Sequence, residues 1–218
     1  MKEVMKTSSL KYEITDIAHE KYPFLHSIRA LQDIGEKVKA GDLGGFVESE
    51  NNLSVDEDTA WIFGDAIAAG NAIVDQEACL YGKAIACGSA YVSQGAEMSG
   101  EARAEDFAYV RGSVLCGHAR VSGHGMILDS PDTGKAPALS EHCTVYGTVL
   151  GDVHIMGDTV VLGNEKLENK SLDTLVVNGQ QRSVIRDPSR DELKPCRSPQ
   201  IEEQHKKKQK EKPKGRDR

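Results

Sequence analysis

Four histidines fall in the second half of the chain, His118, His124, His142 and His154. An imidazole that titrates near neutrality is suited to general-base chemistry. His118, His124 and His142 each stand one place before a small residue (Ala119, Gly125 and Cys143), at a position that the surrounding pattern turns outward at a bend. Such a position also accepts His simply as a polar side chain, as readily as Asp, Lys or Ser. His124 and His142 stand three hexapeptide units apart, a spacing that could stack them as metal ligands, but no acidic pair completes a tetrahedral set and no metal site is assigned. The five cysteines (Cys79, Cys87, Cys116, Cys143 and Cys196) are odd in number and contain no C-x-x-C pair. Disulfide frameworks and zinc ribbons are therefore not expected, and the thiols read as free in a reducing compartment.

The elements that position these residues are fixed by a repeat. Every sixth residue from Ala60 is small: Ala60, Ala66, Ala72, Ala78, Ala84, Ala90, Ala96, Ala102, Ala108 and then Val114. Two places after each comes an apolar or small residue: Ile62, Ala68, Val74, Leu80, Ala86, Val92, Met98, Ala104, Val110 and Cys116. Side chains at i and i+2 share one side of a strand, so each pair faces a common interior. The Gly/polar pairs between them, such as Gly64-Asp65 and Gly82-Lys83, turn a bend. Each hexapeptide thus makes one short strand and one corner, and three hexapeptides close a triangular coil. Size sorting at a spacing of three hexapeptides supports this: Ala68, Ala86 and Ala104; Val74, Val92 and Val110; Ile62, Leu80, Met98 and Cys116. The fold expected is all-β, a single-stranded left-handed parallel β-helix of about five coils, roughly 25 Å long at ~4.8 Å per coil. The rhythm slips near residue 116 and resumes at Ala119.

Four segments follow. Residues 1–50 read as an N-terminal β cap, 51–165 as the β-helix and 166–195 as a C-terminal cap with a hairpin at Asn178-Gly179. Residues 128–138, with two prolines and a glycine, read as a loop projecting from a corner. Residues 196–218 read as a disordered basic tail. From 197 onward, nine Lys/Arg stand against four Asp/Glu, a net +5, so the rest of the chain carries −12 where the whole carries −7. An acidic body argues against nucleic-acid binding by the folded part and leaves weak, non-specific contact through the tail. No run is long enough for a membrane span, and the N-terminus lacks the apolar core of a secretory signal, so a cytoplasmic location is expected.

The outward slot between the two inward series holds Ile67, Ile73, Ile85, Tyr91 and Tyr109. Sorted by coil, Ile73, Tyr91 and Tyr109 form one apolar outer column and Ile67 with Ile85 begins another. Such columns mark an interface with a homotrimer partner or another protein, unless a terminal segment folds over them.

The stretch Lys39-Ala40-Gly41-Asp42-Leu43-Gly44-Gly45-Phe46-Val47, followed by Asn52-Leu53-Ser54 and Trp61, resembles the start of the helix in YdcK-like hexapeptide-repeat proteins of bacteria and mobile elements. The resemblance spans roughly residues 10–165. It implies a left-handed β-helix, a class usually labelled transferase or left uncharacterised, and carries over no catalytic residues. Gly44 and Gly45 match no phosphate-binding or dinucleotide fingerprint and read as corner glycines. A non-catalytic scaffold or binding protein acting through flat faces, with no cofactor, is the leading expectation. The alternative is an acyltransferase of the repeat class, using acyl-coenzyme A as co-substrate, with outward His124 or His142 as general base and the 128–138 loop shaping the acceptor site. A third reading is an accessory protein that binds nucleic acid through the tail.

Overall fold

The structure, a computed structural model, describes residues 11–56 and 58–191. The tail at 196–218 and Cys196 lie outside the described residues. The described residues up to Arg186 form one compact unit; the described part of the second, which starts at Asp187, is a short 3-10 turn at Pro188–Asp191.

The first unit is the left-handed parallel β-helix that the repeat predicts. Its strands are mostly two to four residues long, and each bonds to the strands one coil before and one coil after. Three sheets result. The first face presents outward Phe46, Ile67, Ile85, Arg103, Arg120, Thr144 and Val160. The second presents Trp61, Cys79, Glu97, Val114, Ala138, His154 and Val176. The third presents Ile73, Tyr91, Tyr109, Met126, Thr148 and Lys166. With about seven turns the helix is longer than the five coils expected, close to 30 Å at ~4.8 Å per step.

The interior columns sort by size as the spacing predicts. Ala68, Ala86 and Ala104 stack in register, as do Val74, Val92 and Val110. The third column departs from expectation: Ile62, Leu80 and Met98 are followed by Leu115, not by Cys116. Glu97 pairs with Val114, so this coil is one residue short of three full hexapeptides. The missing residue falls at Gly112-Ser113, earlier than the slip read near 116. Ser113 takes the small slot, fully buried, with its hydroxyl donating to the carbonyl of Arg111 at 2.7 Å. Val114 is therefore outward and 46% exposed, whereas Leu115 is fully buried. Leu115 buries more apolar side chain than Cys116 would in that column, and Ser113 buries less than Val114 would in the small slot.

The ends depart from the expected boundaries. Strand β1 (Tyr12–Ala18) and strand β2 (His26–Ala30) form an antiparallel arm. Strand β3 (Leu43–Val47) pairs antiparallel with β2 and parallel with Ile67–Ala68, so the helix begins inside the segment expected to be cap. It also runs past residue 165, through Lys166–Asn169 and Thr174–Asn178, before the hairpin strand Gln181–Ile185 closes the second sheet. Gly44 and Gly45 are strand residues of β3, not corner glycines. A Cβ on Gly45 would sit 2.4 Å from the Ala66 carbonyl oxygen, and one on Gly44 would meet Ile28, Trp61 and Ile62. The glycine pair lets the arm's last strand lie against the first coil. Trp61, buried, meets Tyr12 edge-on, and the buried Lys11 ammonium pairs with Asp58, pinning the arm.

Candidate functional site

Each corner of a triangular coil stacks one residue per rung, so the histidines are placed by corner. His118 and His142 share the corner between the second and first faces. Their rings are parallel, with centroids 4.8 Å apart and planes at 11°, and His118 Nδ1 lies 3.4 Å from Glu101. His124 occupies the next corner, between the first and third faces, stacked on Phe107 at 5.0 Å. The structure does not bring His124 and His142 together; they stand at opposite edges of the first face. Their spacing of three hexapeptides misleads because the inserted loop lengthens that coil: Arg120 pairs with Thr144, four hexapeptides on. Among the described residues, neither His124 nor His142 makes an ion pair with a carboxylate, and no group of three or more potential ligands could hold a metal.

The loop lies at the remaining corner, between the third and second faces, away from both. It leaves the strand Met126–Leu128 and rejoins at Ala138–Leu139. Ser130 is buried at its base: its amide donates to the Lys135 carbonyl and its own carbonyl accepts from the Gly134 amide. Lys135 turns back toward the terminal coil, 3.1 Å from Asp152 and donating to the Leu172 carbonyl. Asp152 is buried. One of its oxygens accepts from the Thr174 hydroxyl at 2.9 Å, and the other lies 3.3 Å from His154 Nε2. Two histidines thus stand beside a carboxylate, His118 beside the exposed Glu101 and His154 beside the buried Asp152. The signal for the second is present in the sequence as Asp152-Val153-His154, an Asp at the bend that opens the strand Val153–Met156 and a His two places on. An imidazole held by a carboxylate is oriented as a general base is, with Nδ1 left to act.

The outer columns differ in exposure. Ile67 is buried and Ile85 half-buried, because the tip of the arm at Ile17–Tyr22 overhangs the first face. That column is not the open ladder expected of it. The third face is different. Tyr91 and Tyr109 are half-buried and stack with parallel rings 5.5 Å apart, while Ile73 and Met126 above and below them are exposed. The Tyr91 hydroxyl donates to Asp75 at 2.6 Å and accepts from Gln76 at 3.2 Å. Burial, reinforced by the Asp75 carboxylate, pushes the Tyr91 phenol up to about 12. Burial also raises Asp75, helped by Asp58 and Asp56 and opposed by the Tyr91 hydrogen bond. The pair is a fixed polar anchor at the edge of an apolar ladder. Beside it, the adjoining corner carries Phe107, 61% exposed, under His124.

No protein-family model matches the chain, and a search of curated proteins finds no significant match. The fold and the site are therefore the ground for any functional reading. No helix among the described residues is long and apolar enough to cross a membrane.

Proposed function

We propose that this protein is a non-catalytic β-helix binding protein that works through its third face and the Phe107–His124 corner, of the YdcK-like kind that the 39–47 stretch resembles. The observation that carries the reading is the ladder Ile73, Tyr91, Tyr109 and Met126. It is apolar, in register at each rung, and covered by no described segment, whereas the arm covers the start of the first face. Stacked tyrosines spend their ring faces on each other and present edges and hydroxyls. That suits a protein surface better than a flat ligand that needs a free ring face. A homotrimer or a different protein is the partner in this reading. Light scattering tests it: the wild type is expected to exceed monomer mass and Tyr109→Glu to fall to it. A monomeric wild type sinks the homotrimer. A Tyr109→Glu variant that keeps every interaction of the wild type sinks the third face.

One observation favours a second reading, acyl transfer from a coenzyme A thioester: the carboxylate-held imidazole of His154. It predicts that coenzyme A raises the melting temperature and that His154→Ala abolishes transfer, with His124→Ala and His142→Ala as matched variants. No coenzyme A binding at millimolar concentration ends that reading. Nucleic-acid contact through the tail rests on residues outside those described, and is tested by truncation at Pro195.

A further inference from the structure

The cations of the body mark a second surface. Of the Lys and Arg side chains between residues 11 and 189, most are ion-paired or hydrogen-bonded: Lys11 with Asp58, Arg29 with Glu13, Lys37 with Tyr81 and Lys39 with Asp33. So are Arg111 with Asp129, Arg120 with Glu105, Lys135 with Asp152, and Lys166 and Lys170 with Glu168. Arg186 is also engaged. Among the described residues, four cations have no such partner: Lys21, which rests over the Tyr22 ring, Lys83, Arg103 and Arg182. Three of these four, Lys21, Lys83 and Arg103, line one groove.

The groove is the space under the arm tip. Its floor is the start of the first face, Phe46, Ile67 and Ile85 on successive rungs, and Ile17 and Ala18 overhang it. The groove is open on one side and has a volume of about 710 Å³, within the range of small-molecule sites. Arg103 follows Ile85 by one rung, so the apolar floor ends in a guanidinium, and Lys83 stands two residues before Ile85 at the adjoining corner. From Phe46 to Arg103 is three rung steps, roughly 14 Å. Carboxylates are present as well: Glu20, Asp65 and Glu101, the last beside His118. Asp65 and Glu101 stand one coil before and one coil after Lys83 at the same corner, which disfavours a ligand carrying negative charge along its whole length and leaves the floor to an apolar chain with charge at one end.

We propose that this groove binds a small amphipathic organic anion, a carboxylate on a medium-length alkyl chain, with the head on Arg103 and Lys83 and the chain along Ile85, Ile67 and Phe46. A guanidinium fork holds a carboxylate by two parallel hydrogen bonds, which no other group in the groove can offer. Three rung-spaced apolar residues beneath the arm tip give the chain an apolar track. The proposal does not depend on the third-face reading, and either can fail alone.

Octanoate is the probe, titrated into the full ¹⁵N-labelled chain and followed by amide shifts, with 1-octanol as the uncharged comparison. Saturable shifts are expected at Ile17, Phe46, Ile67, Ile85 and Arg103, with octanol binding about tenfold more weakly for want of the charged contact. The double variant Arg103→Gln/Lys83→Gln weakens octanoate by at least about tenfold. Arg103→Lys restores part of the loss, and Arg182→Gln, the unpaired cation elsewhere, leaves binding unchanged. Unshifted amides outside the groove show that each variant is folded. No saturable shift with octanoate overturns the proposal, as do shifts confined to the third face, octanol binding as well as octanoate, or undiminished binding by the double variant.

Discussion

Replacing Leu115 by Ala tests the coil phase at its least obvious point. Leu115 is fully buried, between Met98 and Leu139 in one interior column. The substitution deletes three carbons, about 2.4 kcal/mol of transfer free energy at ~0.8 kcal/mol per buried methylene. A cavity term adds to this, because stacked rungs are held by backbone hydrogen bonds and cannot close in freely; Leu→Ala changes in rigid cores cost about 2.7–5 kcal/mol in all. A loss of about 3–4 kcal/mol is expected at Leu115. Val114→Ala, at a position 46% exposed, is expected to cost under about 1 kcal/mol, and Cys116→Ala, half-buried, no more. With m of about 2–3 kcal/mol/M in urea, the Leu115→Ala midpoint falls by more than about 1 M while the other two barely move. Solenoids can unfold in sections, so circular dichroism, which reads the whole rod, is paired with the fluorescence of Trp61, the only tryptophan, near its N-terminal end. If Val114→Ala or Cys116→Ala costs more than Leu115→Ala, the coil does not drop a residue at Gly112-Ser113 and every outward neighbour after it is misassigned.

Three further outcomes are expected. Gly88→Ala costs roughly 2 kcal/mol in urea unfolding, because φ is +72° and its Cβ would approach the Asp106 backbone nitrogen at 2.8 Å, whereas Gly95→Ala, at φ +73° with open space around it, costs roughly half as much. Burial lifts the Tyr12 phenol from 10.0 to about 12, with Glu50 adding to it, so the stability held by the neutral phenol is complete below pH 10 and is lost as pH rises toward 12; over that window wild type should lose about 2–3 kcal/mol more than Tyr12→Phe, and an equal loss would refute the linkage. Cys143 is fully buried, its thiol pushed by burial up to about 11, so iodoacetamide at pH 8 should leave it unmodified in the native protein while labelling half-exposed Cys116, as mass spectrometry would show.

The interior is legible because close packing constrains it. A slot that holds Ala60, Ala78 and Ala96 cannot admit a large side chain without parting the rungs, and the sequence records that limit at each repeat. The slip shows where the record thins. Val114 with Cys116 and Ser113 with Leu115 both satisfy a small residue followed two places on by an apolar one, and the gain from burying Leu over Cys is offset by burying Ser in place of Val, so the pattern alone does not separate them. Gly44 and Gly45 look like corners because glycine is the usual corner residue here. Their true constraint, the approach of β3 to Ala66 and Trp61, joins residues far apart in the chain and leaves no periodic trace.

Outward residues obey no such limit, and that is why the site is harder to read than the rod. In a coil of fixed length, outward neighbours follow from a spacing of three hexapeptides, which pairs Tyr91 with Tyr109 correctly. Each change of coil length reassigns all neighbours beyond it. The loop at 129–137 lengthens one coil, so that His142 meets His118 and not His124, and the next coil is shortened, so that Thr144 pairs with Val160. A contact between residues two apart in the chain escapes this, because it does not depend on the coil length. Asp152, at the bend before the strand Val153–Met156, and His154 are such a pair, and the two candidates that spacing selects, His124 and His142, are not. In this fold, then, side chains brought together by neighbouring positions in the chain are the dependable sequence evidence for chemistry. Those brought together by stacking become evidence only once every coil between them has been measured.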